Sequence, residues 1–288
     1  MARKIIITVA QTGSFHGKEV NPNLPVQPDE IAQSALDCYN AGASIVHIHA
    51  RDKEGIPTND PKVYSEIGSK IHSKCDVILQ YSTAPKNPFT PAEEGLTLLY
   101  DPDTYLPEMC SLDCSLVGTS WKDKTFIFEW SRAFIAKGAA RMRELGIKPE
   151  LEVFNPTSID DVVNYVYPQG VLDEPLSFTF VLGQDRASQG AAPYDAKTMM
   201  YMIDRLPANS FFTTMGIAHQ QLPATTMSML LGGNIRVGME DNVYFKRGEL
   251  AVSNAQLVER AAKMVRDYGF EVATPEEARA MLKLRTAK

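Results

Sequence analysis

Cysteine, histidine and tryptophan are scarce in this chain: four, five and two residues among 288. The cysteines (Cys38, Cys75, Cys110 and Cys114) form no CxxC pair, and a chain of this length needs no disulfides to hold a core. Cys110 and Cys114 stand four apart, yet no second Cys/His pair lies near them, so they read as reduced thiols. That points to the cytoplasm. No apolar run approaches the ~20 residues of a membrane span. The first residues, MARKIIITV, read as a strand preceded by two cations rather than a signal peptide. A net charge of −6 lacks the basic footprint that nucleic acid or an anionic membrane surface requires. No GxGxxG turn, Walker loop or GxSxG elbow is present, which disfavours nucleotide folds and serine hydrolases. Repeats, linkers and low-complexity tracts are also missing.

What remains is 44 % apolar, ample for a large core. Short β-branched runs alternate with amphipathic segments. Eight strands are expected at Lys4–Ala10, Ser44–His49, Asp76–Tyr81, Glu108–Leu112, Glu150–Phe154, Leu176–Leu182, Phe211–Met215 and Asn234–Val237. Near-continuous apolar strands suit a parallel sheet covered on both faces. Helices are expected at Pro28–Ala41, Asp60–Ser73, Pro91–Leu99, Ser131–Leu145, Ser158–Val166, Tyr194–Arg205, Leu222–Leu231 and Ser253–Tyr268. A capping signature at Thr274 opens a terminal one. Eight β-then-α units in 288 residues, about 36 residues each, are the spacing of a (β/α)8 TIM barrel. A doubly wound open sheet is the other candidate. The chain is expected to be one barrel domain over residues 1–288, with a C-terminal helical extension. The long polar segment Gly13–Gln27 would lie on the rim where barrels carry chemistry.

The sharpest chemical signal is His47-Ile-His49 at the end of the second strand. Alternate strand residues share a face, so both imidazoles leave toward the barrel mouth as ready metal ligands. Glu240, just past the eighth strand, is the best third ligand, because strands eight and two lie two steps apart around a closed ring. Two histidines and a carboxylate suit catalytic Zn²⁺, and the same triad serves iron(II). Arg236 shares the parity of Glu240 and points inward, where it needs carboxylate partners or an anionic substrate. Asp241 is within reach. Glu152 shares the parity of Glu150 on the fifth strand, as a positioning or acid/base carboxylate. Ser82 marks the end of the third strand and Ser111 the end of the fourth; their hydroxyls can bond a carboxylate or an enolate. His16 reads as a lid residue of the first loop, and His219 as facing the mouth.

With these residues in place, the sequence resembles the β-keto acid cleavage enzyme family. The marks are Ile6 to Gly13 (IITVAQTG), Gly42 to Asp52 (GASIVHIHARD), Pro107 to Leu112 (PEMCSL), Lys148 to Phe154 (KPELEVF), Phe180 to Gly183 (FVLG), Arg236 to Asn242 (RVGMEDN) and Ser253 to Val258 (SNAQLV). Their order and spacing carry the likeness. It implies a zinc-bearing (β/α)8 barrel, usually a homotetramer, which condenses a β-keto acid with acetyl-CoA and cleaves the adduct to acetoacetate and a new acyl-CoA. The matching metal positions are His47, His49 and Glu240; the matching polar groups are Ser82, Ser111, Glu152, Arg236 and Asp241. Asp241 is then expected as the base, with Arg236 lowering its pKa. Three rim loops depart from the pattern, at Ala84-Pro-Lys86, Gln184 to Gly190 and Gly216 to His219, so Lys86, Arg186 or His219 would meet the phosphates of acetyl-CoA in a changed way. A metal-dependent hydrolase of the amidohydrolase kind is the alternative, since it also uses an HxH pair. A non-catalytic metal-binding oligomer is the third reading.

Overall fold

The computed structural model describes residues 2–121 and 124–285. Eight parallel strands close into a barrel in chain order: β1 (Ile7–Ala10), β2 (Ile45–Ile48), β3 (Ile78–Tyr81), β4 (Met109–Asp113), β5 (Lys148–Val153), β6 (Leu176–Leu182), β7 (Ser210–Gly216) and β8 (Asn234–Val237). The ring closes where β8 pairs with β1, Ile235 opposite Ile7 and Val237 opposite Val9. Seven helices cover the outside: α1 (Pro28–Ala41), α2 (Pro61–His72), α3 (Arg132–Leu145), α4 (Pro156–Asp161), α5 (Ala196–Ile203), α6 (Gln221–Leu230) and α7 (Asn254–Asp267). A further helix, α8 (Pro275–Leu282), follows. This is the TIM barrel expected from the spacing.

The local chemistry explains the element ends. Pro28 and Pro61 supply fixed φ at helix starts, and Asp60 accepts the Lys62 N–H as the cap of α2. Gly42 and Gly146 end α1 and α3 in the left-handed region, where a side chain would be strained. Thr274 and Glu277 cap each other's backbone at α8, the capping box legible in the sequence.

The outward residues of the strands, such as Val9, Val46, Leu79 and Leu112, pack against the helices in the main core. Each fully buried aliphatic contributes about 1.5–3 kcal/mol of burial free energy. Inward residues Ile6, Ile45, Ile78 and Met109 fill the lower end of the ring and pack on Ala278 and Leu282 of α8. Above this plug the interior turns polar, with His47, Gln80, Ser111, Glu150, Thr179 and Arg236 all buried.

Several expectations need correction. The first strand does not run unbroken from Lys4 to Ala10. Lys4–Ile5 pairs with Glu271–Val272, because Asn234 Oδ1 takes the Ile6 N–H at 3.0 Å and separates the two ladders. The fourth strand extends to Asp113, so Ser111 is central and not terminal. Residues 92–99 form a 3₁₀ segment, and the helix expected to begin at Ser158 starts at Pro156 and loosens into a π turn over Val162–Val166. Between β4 and α3 an antiparallel hairpin (Leu116–Trp121 with Lys124–Glu129) leaves the barrel. It gains a third strand from Ser188–Gln189 of the β6–α5 loop.

Candidate metal centre and active site

His47 is the third residue of β2, and His49 follows its end; the intervening Ile48 points into the outer core. Their rings meet edge-on at 5.2 Å. Glu240 reaches the same point from beyond β8 by a backbone turn only glycine permits. Gly238 sits at φ +139°, and a Cβ there would lie 2.0 Å from the Ala10 carbonyl oxygen. The chain thus hugs β1, and the Glu240 N–H reaches Ala10 O at 3.2 Å. The first loop crosses close above: a Cβ at Gly13 would stand 2.7 Å from Glu240 Cγ.

His47 Nε2 lies 3.6 Å and His49 Nε2 3.5 Å from Glu240 Oε1. Ligand atoms of the three side chains fall within 4.8 Å of one another, a set that can hold a metal ion. Two further observations fit such an ion. His47 Nδ1 sits 2.9 Å from Gln80 Oε1, which can only accept, so the ring proton belongs on Nδ1 and the Nε2 lone pair is left for a ligand role. Burial holds His47 neutral, pushing its pKa down to about 3. Glu240 Oε2 is buried without any hydrogen-bond partner. Burial raises the Glu240 carboxyl, but its neighbours His49 and Arg236 outweigh it and keep it ionised, below the usual carboxylate range. His47, Glu150 and Glu152 also cluster closely enough to ligate. There, however, burial raises Glu150 to about 8, so it carries its proton near neutrality, whereas Glu240 stays ionised.

Arg236, on β8 and 1 % exposed, is the hub of the charge network. It grips Asp241 with two parallel bonds of 3.1 Å, donates to Glu152 Oε1 at 3.0 Å and to Glu240 Oε1 at 2.6 Å. Burial would discharge this guanidinium, but Asp241, Glu240 and Glu152 outweigh burial and hold it charged. Arg236 does pull the Asp241 pKa down, as expected, but it does not decide the net shift. Burial, with Glu240 and Glu152 nearby, exceeds the pull of Arg236 and lifts Asp241 to about 6. That is a useful value for a base near neutrality.

Asp113 was missed by sequence reasoning, because the fourth strand was ended at Leu112. Its parity with Ser111 is the signal that finds it. Burial and the neighbouring Glu152 push its carboxyl well above the ordinary range, so it carries its proton. Glu150, buried beneath, is raised to about 8 for the same first reason. Gln80 on β3, two residues before Ser82, has a role that only the structure shows, through its bond to His47.

Ser82, Ser111, Asp113, Glu152, Arg236 and Asp241 line one cavity of about 370 Å³ together with His47, His49 and Glu240. The eight residues matched to metal and polar roles in the sequence therefore stand around this space. Ser82 Oγ accepts the Ala84 N–H at 3.2 Å, and Ser111 Oγ faces the Thr83 N–H at 3.4 Å. Each hydroxyl then keeps its own proton to donate. His16 lines the cavity, whereas His219 is exposed on a 3₁₀ turn and does not. Lys86 pairs with Glu94 at 3.3 Å, and Arg186 is exposed on the β6–α5 loop. The hairpin roofs the cavity with Val117, Thr119, Phe128 and the following Trp130. Among the described residues, no helix is long and apolar enough to cross a membrane.

A family model described as beta-keto acid cleavage enzyme matches residues 4–284. The chain is 37 % identical over 286 residues to a 3-keto-5-aminohexanoate cleavage enzyme of Fusobacterium nucleatum, spanning 99 % of this chain and 100 % of that protein. It is 32 % identical over 301 residues to a 3-dehydrocarnitine:acetyl-CoA trimethylamine transferase of Rhizobium meliloti, spanning 99 % and 98 %. Among solved structures, apo ObcA superposes with a TM-score of 0.77 at 19 % identity, over 91 % of this chain and 66 % of that one. At that identity the likeness speaks for the barrel alone. Nothing among these matches favours the amidohydrolase reading.

Proposed function

The chain belongs to the beta-keto acid cleavage enzyme family, and from that premise we propose a zinc-dependent transferase that condenses a β-keto acid with acetyl-CoA and cleaves the adduct to acetoacetate and a new acyl-CoA. The observation that carries this reading is the meeting of His47, His49 and Glu240 beside the Arg236–Asp241 pair in one cavity. Relatives whose names pair acetyl-CoA with 3-dehydrocarnitine, 3,5-dioxohexanoate and 3-oxoadipate support the co-substrate. Zinc is favoured among divalent ions because two imidazoles and one carboxylate, with positions left open, are a common catalytic zinc set. Free thiols and the family resemblance support a cytoplasmic homotetramer of one-domain chains.

Bound at His47, His49 and Glu240, a zinc ion supplies a Lewis acid that draws charge from the keto carbonyl and stabilises the enolate, worth several kcal/mol. The protein's own groups do the rest. Ser82 and Ser111 donate hydrogen bonds that orient the substrate carboxylate. Asp241 takes a proton from the α carbon, and Arg236 holds its carboxylate in line. That carbon attacks the acetyl thioester carbonyl, a C–C bond forms, and CoA leaves as the thiolate. The thiolate then attacks the original keto carbon, the older C–C bond breaks, and the acyl group leaves on CoA. Asp241 returns its proton to the carbon of acetoacetate. Glu152, between Arg236 and Asp113, relays or holds a proton during these steps. The test is to incubate zinc-loaded protein with acetyl-CoA and a panel of β-keto acids. Acetoacetate and the matching acyl-CoA are expected; hydrolysis without CoA, and no acetoacetate, would overturn the proposal.

A further inference from the structure

We propose that the cavity wall beneath the hairpin selects β-keto acids whose tail is an uncharged alkyl or aryl group; this rests on the reading above. Val117 and Phe128 face each other across the hairpin, and both line the cavity. Phe128, Trp130 and Phe154 continue the wall as a column of parallel rings. Phe128 and Trp130 lie 4.8 Å apart at 2°, Trp130 and Phe154 5.8 Å apart at 13°. The middle ring, Trp130, stacks on both neighbours and is only 6 % exposed, so little of its face is open to a ligand. Its Nε1 is buried and has no hydrogen-bond partner, so the indole N–H is not presented to the cavity. A cation is held by the electron-rich face of an aromatic ring, whereas ring edges are weakly positive. The column is therefore a hydrocarbon shelf and no cage for an ammonium group.

Charged partners for a tail are also spoken for among the described residues of this cavity. Glu152, Glu240 and Asp241 all bond Arg236, and Asp113 is protonated beside Glu152. Arg236 in turn is filled by those carboxylates. Nearby Arg51 is turned away onto the carbonyls of Gly13, His16 and Gly55. At the roof, Thr119, Ser188 and Gln184 satisfy one another at 3.0 Å. His16 is the remaining titratable side chain on the described lining, from the first loop. A charged tail entering here loses its water and, among the described lining residues, finds no uncommitted counter-ion apart from His16 on the first loop, a cost that an alkyl or aryl tail does not meet.

The test is a competition of tails on the zinc-loaded enzyme with acetyl-CoA, reading each acyl-CoA product by mass. The substrates are 3-oxohexanoate and benzoylacetate (neutral), 3-oxoadipate (anionic), and 3-keto-5-aminohexanoate and 3-dehydrocarnitine (cationic). Neutral tails are expected to exceed both charged classes in kcat/KM by at least about 100-fold. A charged tail that equals or exceeds the neutral ones overturns the inference. Transfer of labelled acetyl from acetyl-CoA into unlabelled acetoacetate needs no tail beyond a methyl group. Exchange with charged tails preferred removes this inference alone; no exchange removes the proposed reaction and the inference with it. Two variants guard against misfolding. Phe128→Ala is expected to lower kcat/KM for 3-oxohexanoate at least about tenfold more than it lowers the exchange. Val117→Asp is expected to raise the cationic-to-neutral ratio at least about tenfold. Ratios unchanged in both folded variants would place the tail elsewhere and overturn the assignment.

Discussion

Replacing Arg236 with Met tests how the barrel interior tolerates its charges. The guanidinium is fully buried and holds three carboxylates, Asp241 with both oxygens, Glu152 at 3.0 Å and Glu240 at 2.6 Å. Methionine keeps most of the hydrocarbon volume but removes every counter-charge. Breaking one buried ion pair by removing one partner costs about 3–5 kcal/mol, because the remaining charge stays buried. Three carboxylates share this loss, but each can partly escape by taking up a proton, so the expected destabilisation is about 4–6 kcal/mol at neutral pH. Arg236→Lys should fall between, since an ammonium cannot match the two-pronged grip on Asp241. Urea melts of metal-free protein at pH 7.5 measure both. Adding Asp241→Asn to Arg236→Met should recover at least about 1 kcal/mol, because one orphaned charge is gone. A loss below about 1 kcal/mol for Arg236→Met, or no recovery in the double variant, would refute this view of the network.

Asp241→Asn should reduce acetoacetate formation about 10²–10⁴-fold, the usual contribution of a positioned base, while bound zinc measured by elemental analysis stays at the wild-type level. Gln80→Leu should weaken zinc affinity about 10–100-fold in chelator competition, because His47 loses the acceptor that fixes its tautomer at 2.9 Å. Stability should also fall with rising pH. Glu150 titrates near 8 when folded, against about 4.3 in an unfolded chain, so its protonated form stabilises the fold fully below about 4.3 and this is lost as pH rises through 8. Glu150→Gln should flatten the decline seen in urea melts between pH 5 and 8; an unchanged slope would show that Glu150 does not bind the proton.

The barrel was legible because its strands are buried on both faces and so stand out as apolar runs. Leu176–Leu182, Asn234–Val237 and α1 match the sequence reading residue for residue. The hairpin was not legible. Its short apolar run Phe126-Ile-Phe128 belongs to an antiparallel excursion that the β/α alternation does not anticipate. Strand parity brought out His47, His49, Ser82, Glu152 and Arg236 as groups facing the same interior. It could not rank burial against charge, so the lowering pull of Arg236 on Asp241 was legible but the larger upward push of burial was not. Asp113 was lost through one residue of strand length. The exposed position of His219 depends on a 3₁₀ turn that no periodicity in the sequence announces.

The central claim is that His47, His49 and Glu240 hold one metal ion on which turnover depends. Metal content and acetoacetate formation, measured together on wild-type and His47→Ala protein after chelation and reloading with zinc, test it most directly. The account expects stoichiometric zinc and turnover in the wild type, and loss of both in the variant. A folded His47→Ala protein that keeps full zinc and full rate would contradict it.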